Sequence, residues 1–186
     1  MTAGAVAAGH PFTVEAGLNA LRNGGNAIDA AISALLMAGV AEPLLTGLGG
    51  AGMAISRLGG ETVVCDLFTN VPGLGETHPK ANEMKKIELN FGPAKQVFHV
   101  GPATAAPLGV PAGIVALWRR GGRLPLSLLA QPAIDAARNG VPVLPGFERV
   151  LSLLWPICQI TEQGARLFGR NGRHLRVGDT FLNPDL

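Results

Sequence analysis

Residues Ala27 to Val40, Ala-Ile-Asp-Ala-Ala-Ile-Ser-Ala-Leu-Leu-Met-Ala-Gly-Val, are apolar on nearly every face of a helix, interrupted only by Asp29, Ser33 and Gly39. A helix apolar all round has to be covered on all sides, so this run demands a surrounding fold. At 1.5 Å per residue it is about 21 Å long, short of the ~30 Å hydrocarbon layer of a bilayer, and it reads as a buried globular helix rather than a membrane span. Asn26 is positioned as its N-cap, and Asp29 in the first turn faces the positive end of the helix dipole. Val14 to Asn23 reads as a preceding helix, capped by Thr13 and ended by Gly24-Gly25, which predicts a buried helical hairpin.

Beyond Glu42-Pro43 the pattern changes. Thr46 to Gly52 is a glycine-dense turn, followed by two β-rich runs, Met53–Leu58 and Glu61–Phe68, joined by Gly59-Gly60. Two such runs across a two-residue glycine turn predict a β-hairpin. Ala5 to Ala8 is expected to add a strand at the start. Between Pro72 and Pro107 only Gln96 to Val100 reads as strand. Helices are expected over Gly113–Arg120, Leu126–Asn139, restarting at Pro132, and Phe147–Ile157. Strands therefore cluster early and helices late, without a βαβ rhythm or internal repeat, and the class is α+β.

With 186 residues, of which 47% are apolar and 15% charged, the chain has enough apolar content for a real core despite 26 Gly and 14 Pro. The formal net charge is +2. It is unevenly spread: residues 1–93 carry 5 basic and 8 acidic side chains, residues 94–186 carry 10 and 5. Arg166, Arg170, Arg173 and Arg176 have helical spacing, but Gly164, Gly169 and Gly172 interrupt any helix there and no aromatic platform accompanies them. A solvated surface, and no nucleic-acid partner, is expected. Cys65 and Cys158 lack metal spacing, and Cys65 in Thr62-Val63-Val64-Cys65 reads as a small buried hydrophobe. The chain as written begins without a basic n-region or long apolar h-region, so a cytoplasmic location is expected.

Gly47, Gly49 and Gly52 satisfy G-x-G-x-x-G, yet a helix precedes them and a strand follows, the reverse of what a dinucleotide site needs, and no acidic residue lies about 20 positions on. A tight turn is the reading, with no cofactor. Nucleophile-elbow, zincin, Walker and zinc spacings are lacking, and His10, His78, His99 and His174 are dispersed; no metal is expected. His10, before Pro11 at a helix start, reads as making a structural hydrogen bond. Thr2, exposed by loss of Met1, would have its own amine as a base, but a small residue after the initiator is ordinary.

The blocks Ala7-Ala8-Gly9-His10-Pro11, Glu15-Ala16-Gly17, Gly24-Gly25-Asn26-Ala27-Ile28-Asp29-Ala30-Ala31, Val40-Ala41-Glu42-Pro43 and Gly47-Leu48-Gly49-Gly50-Ala51-Gly52 resemble the start of the large subunit of the gamma-glutamyltranspeptidase family. The resemblance continues through Gly109-Val110-Pro111-Ala112-Gly113, Gly122-Arg123-Leu124-Pro125, Gln131-Pro132-Ala133-Ile134 and Gly178-Asp179 to Asn183-Pro184-Asp185-Leu186, and is weakest over residues 75–103. It implies a four-layer αββα N-terminal-nucleophile hydrolase fold, incomplete here, with residues 1–186 as a single partial domain. It also implies a self-cleaving precursor whose small subunit supplies a threonine nucleophile to attack a gamma-glutamyl amide such as glutathione, passing the acyl group to water or to an amino acid or peptide. That family is often exported.

No catalytic residue is expected in this chain, which the resemblance makes an amino-terminal fragment inactive without its small subunit. The family's strand-end pattern Asp-Gly-Arg-Glu-Thr-Ala-Pro falls on Asp66 to Pro72, placing Phe68 where the family's arginine grips the substrate's alpha-carboxylate. Leu67, Phe68, Thr69 and Asn70 are the expected substrate-binding residues. Loss of the guanidinium removes a charge-assisted contact of about 1.5 to 3 kcal/mol, or about tenfold to over a hundredfold in affinity. This favours another amide with a more apolar acyl group, unless Phe68 packs in the core and the carboxylate partner comes from elsewhere. A non-catalytic interaction module on the same scaffold is the competing reading.

Overall fold

The computed structural model describes residues 4–70, 84–105 and 107–186. The chain forms two compact units, one from residues 1–70, 108–140 and 183–186, the other from residues 71–107 and 141–182. Thr2, His78 and the sequence from 71 to 83 lie outside the described residues.

The first unit is built around the apolar run. Helix α1, Pro11–Arg22, packs along α2, Ala27–Ala41, and α2 packs in turn on α3, Gly109–Gly121, and α4, Leu126–Asn139. Ala20, Ile28, Ile32, Val110, Ile114, Leu117 and Leu129 form the shared core. The expected cap of α2 is present and reciprocal. Asn26 Oδ1 accepts from the amides of Ile28 and Asp29 at 2.8 and 3.1 Å, and Asp29 Oδ2 accepts from the Asn26 amide at 2.8 Å. Asp29 is fully buried because its carboxylate also accepts from the amides of Arg123, at 3.0 Å, and Leu124, at 3.2 Å. Ser33, the other polar residue of the run, donates to the Leu129 carbonyl at 2.9 Å.

Three local expectations are corrected here. Helix α1 starts at Pro11, and its cap is His10 rather than Thr13: His10 Nδ1 accepts from the Phe12 amide, leaving Thr13 inside the helix. Proline suits the first helical position, which moves the start forward. Residues 5–8 form no strand. Helix α4 runs unbroken through Pro132, which lacks the amide for that turn's bond; burial of Leu129, Ala133, Ala136 and Ala137 holds the helix together across it.

Strands β1, Met53–Leu58, and β2, Glu61–Asp66, pair antiparallel with Leu58 opposite Glu61. Gly59 and Gly60 have φ of +55° and +89°, the mirror-image turn that a two-residue hairpin favours. Its half-buried face carries Ala54, Leu58 and Cys65 onto the core; Cys65 is thus packed but not fully enclosed. The opposite face exposes Met53, Ile55 and Val64.

In the second unit β3, Lys85–Asn90, pairs antiparallel with β4, Lys95–Val100. Only β4 is anticipated from sequence. Helix α5, Pro145–Cys158, is followed by α6, Glu162–Phe168, which forms despite Gly164. Two-residue strands complete the unit: β5, Val141–Pro142, pairs with β8, Thr180–Phe181, and β6, Gly169–Arg170, with β7, Arg173–His174. Phe181 lies between the rings of Phe147 and Phe168, at 5.5 and 5.4 Å, and is buried with Leu89, Val141, Val143, Leu151 and Leu175. The late arginines are held at the surface: Arg166 pairs with Glu162, Arg173 with Asp179 at 2.8 Å, and Arg170 donates to the carbonyls of Arg166 and Gly169.

Candidate functional site

The four residues singled out from sequence follow directly on β2, where the chain leaves the hairpin. The Leu67 amide donates to the Gly52 carbonyl at 2.9 Å, tying the strand end to the glycine turn. The Phe68 amide donates to Asp66 Oδ1 at 2.8 Å, and this local bond turns the backbone out of the strand. On the other side lies α3. A Cβ on Gly109 would collide with the carbonyl oxygens of Leu67 and Phe68, and one on Gly113 would collide with the Leu67 side chain. The i, i+4 glycine pair of Gly109-Val110-Pro111-Ala112-Gly113 therefore gives α3 a bare stripe on which the strand end rests. That spacing is the signal from which this seat is readable, although sequence reasoning took it only as part of a resemblance.

The side chains divide. Leu67 is 3% exposed and belongs to the core with Ile114 and Leu117, so its side chain anchors the segment instead of lining a pocket. Phe68 is 56% exposed among the described residues. Phe68, Thr69 and Asn70 thus follow in sequence on the seated Leu67, two of them exposed and Thr69 half-buried. A separate cleft of about 450 Å³ opens between α1 and α4, rimmed by Asn19, Asn23, Gln131 and Asp135; none of the strand-end residues lines it.

The glycine turn itself is closed by the Gly50 amide on the Gly47 carbonyl at 2.9 Å and is followed by β1, the reverse of a dinucleotide-binding order. Among the described residues no group of three or more His, Cys, Asp and Glu side chains comes together as a metal site, and no helix is long and apolar enough to cross a membrane. Burial pushes the Cys158 thiol up to about 11, so it stays protonated and unreactive near neutrality. Sequence reasoning did not find the cluster at the start of the glycine turn, where Thr13 Oγ1 donates to Glu42 Oε2 at 3.1 Å beside the buried His10.

The mixed helix and hairpin architecture is that of the N-terminal-nucleophile hydrolases. The solved gamma-glutamyltranspeptidase of Helicobacter pylori superposes on the whole of this chain with a TM-score of 0.80 at 28% identity, the chain covering 52% of it. The gamma-glutamyltranspeptidase family model matches residues 13–186, and the chain belongs to that family. Glutathione hydrolase 3 of Arabidopsis thaliana is 35% identical over 189 residues, an alignment covering 98% of this chain and 27% of that protein. The acylase ACY 1 proenzyme of Pseudomonas sp. (strain SE83) is 35% identical over 143 residues, covering 76% of this chain and 26% of that protein. The chain thus spans about a quarter of the length of these two relatives.

Proposed function

We propose that this chain is the amino-terminal part of the large subunit of a gamma-glutamyltranspeptidase-like amidohydrolase or acyltransferase, active once joined to a small subunit from the same precursor. The small subunit supplies a threonine whose own amine acts as base, and the large subunit supplies part of the substrate seat. The apolar outward face of the β1–β2 hairpin, Met53, Ile55 and Val64, supports a fold that needs further chain to cover it.

The observation that carries the substrate reading is the exposed Phe68 on a strand end fixed by Gly52, Gly109 and Gly113. A phenyl ring cannot hold a carboxylate through paired N–H donors, but it offers an apolar wall to an acyl chain. Thr69 and Asn70 add hydrogen-bonding groups beside it. The substrate we infer is an amide or peptide related to the gamma-glutamyl class, with an acyl group less dependent on an alpha-carboxylate contact; that one relative is named an acylase agrees with this.

Expression of the chain with its downstream sequence is expected to yield self-cleavage into two subunits and amide turnover, while residues 1–186 alone turn over nothing. A single uncleaved, inert product points instead to a non-catalytic module on the same scaffold. Among acyl-p-nitroanilides, the processed enzyme is expected to favour apolar acyl groups. Phe68→Arg is expected to raise kcat/KM for the gamma-glutamyl compound by about tenfold to a hundredfold. A strong gamma-glutamyl preference in the unaltered protein overturns the substrate reading and leaves the reaction class standing.

A further inference from the structure

Among the described residues, one buried side-chain nitrogen or oxygen has no hydrogen-bond partner: Nε2 of His10. The ring is 5% exposed and lies edge-on against Phe12, with centroids 5.4 Å apart. Its Nδ1 accepts from the Phe12 amide at 3.1 Å. An imidazole nitrogen that accepts carries no proton, so the neutral ring bears its hydrogen on Nε2.

The start of α1 and the end of α2 meet next to His10, at Thr13 and Glu42. His10 begins α1; Thr13, one turn in, donates to Glu42; and Glu42 ends α2, its amide on the Ala38 carbonyl at 2.8 Å. The Glu42 carbonyl in turn accepts from the amides of Leu45 and Thr46 at 2.9 and 3.1 Å, which sets the course of the chain into the glycine turn. Gly9 closes the cluster, since a Cβ there would meet Glu42 Oε1.

We propose that His10 is a proton-sensitive positioning residue: its neutral ring caps α1 and keeps Thr13 on Glu42 at the root of the glycine turn, and protonation releases that latch. An imidazolium donates from both nitrogens, so Nδ1–H would face the Phe12 N–H, donor against donor, and the cap would be lost. Glu42 is the charged group acting on the ring, and it favours the imidazolium. Glu15 on α1 is turned to Arg22, and Asp29 at the far end of α2 is bound to Asn26, Arg123 and Leu124. Burial outweighs Glu42 and holds the ring below its ordinary pKa of 6.5. A folded pKa below the unfolded one gives stability that is full above about pH 6.5 and is lost as pH falls below it towards the folded value. This inference is independent of which amide the family member cleaves.

Unfolding midpoints of the chain and of His10→Asn, measured from about pH 5 to pH 8 across the histidine range, test it, because asparagine caps a helix as well and does not titrate there. The unaltered chain is expected to lose more stability on acidification than His10→Asn does. Nitrogen NMR of the ring is expected to show the Nε2–H form with a pKa below 6.5, and the Leu45 and Thr46 amides to shift with that same titration. Equal pH dependence in both proteins, an Nδ1–H ring, a pKa at or above the ordinary value, or amides that ignore the titration each overturn the proposal. Should His10→Asn not fold, the NMR titration of the unaltered chain decides alone.

Discussion

Asp29 shows what a single side chain does in this fold. Its two oxygens serve the amides of Asn26, Arg123 and Leu124 with no exposure to water. Asp29→Ala leaves those donors unpaired and is expected to cost about 3 kcal/mol or more by urea unfolding, whereas Asn26→Ala, which removes the cap, is expected to cost about 1 kcal/mol. The Asp179 carboxyl is held below its usual range, first by the side-chain hydrogen bond from Arg173 and then by the Arg176 amide. Its contribution is present above the unfolded pKa of about 4 and disappears as pH falls through the lower folded value. Acid titration of Asp179→Asn is therefore expected to lack a low-pH component, and salt to shrink that component in the unaltered chain, because the pair is partly open to solvent. The cap at Asn26 and Asp29 was legible in sequence because it is local. The reach of the same carboxylate to Arg123 and Leu124 was not, since nothing near either partner marks it.

At the level of elements, the bare stripe of α3 decides where the strand end lies. Gly113→Ala places a methyl group on the Leu67 side chain and is expected to destabilise by about 1 to 3 kcal/mol. Gly109→Ala is expected to cost more, because the carbonyls of Leu67 and Phe68 cannot rotate away as a side chain can. Gly146, in the first turn of α5 with open space around it, is the control: Gly146→Ala is expected to be neutral or to stabilise by about 0.5 to 1 kcal/mol. The β1–β2 hairpin was readable because Gly59-Gly60 is a turn signal with its own mechanism. Strand β3 was not, as Lys85-Lys86-Ile87-Glu88-Leu89-Asn90 offers only two apolar positions and takes its extended form from pairing with β4. The two-residue strands β5 and β8 exist only through pairing with each other across about forty residues, whereas β6 and β7 form a local hairpin across Asn171-Gly172, both at positive φ. Thr13 has a capping side chain, but Pro11 fixes the helix start one turn earlier and puts Thr13 inside it.

Across the whole molecule, family membership was written in motifs running from Ala7 to Leu186, so the fold class was legible nearly end to end. The substrate seat was legible only as a segment: burial alone separates Leu67 from Phe68. The first unit draws on three stretches of chain and the second on two, so neither is continuous in sequence. We propose that they act as one partial domain, and calorimetry is expected to give a single transition with equal calorimetric and van't Hoff enthalpies; two separated transitions would contradict that.

The bond from the Arg123 amide to Asp29 joins positions 94 residues apart. Closing so long a loop costs about 4 kcal/mol of chain entropy on a logarithmic scale, before the contact returns anything. This pairing is expected to form late, after the rate-limiting barrier. Replacing Asp29 should then quicken unfolding by roughly a hundredfold while leaving the refolding rate nearly unchanged, so that the carboxylate governs how long the native state lasts more than how fast it is reached.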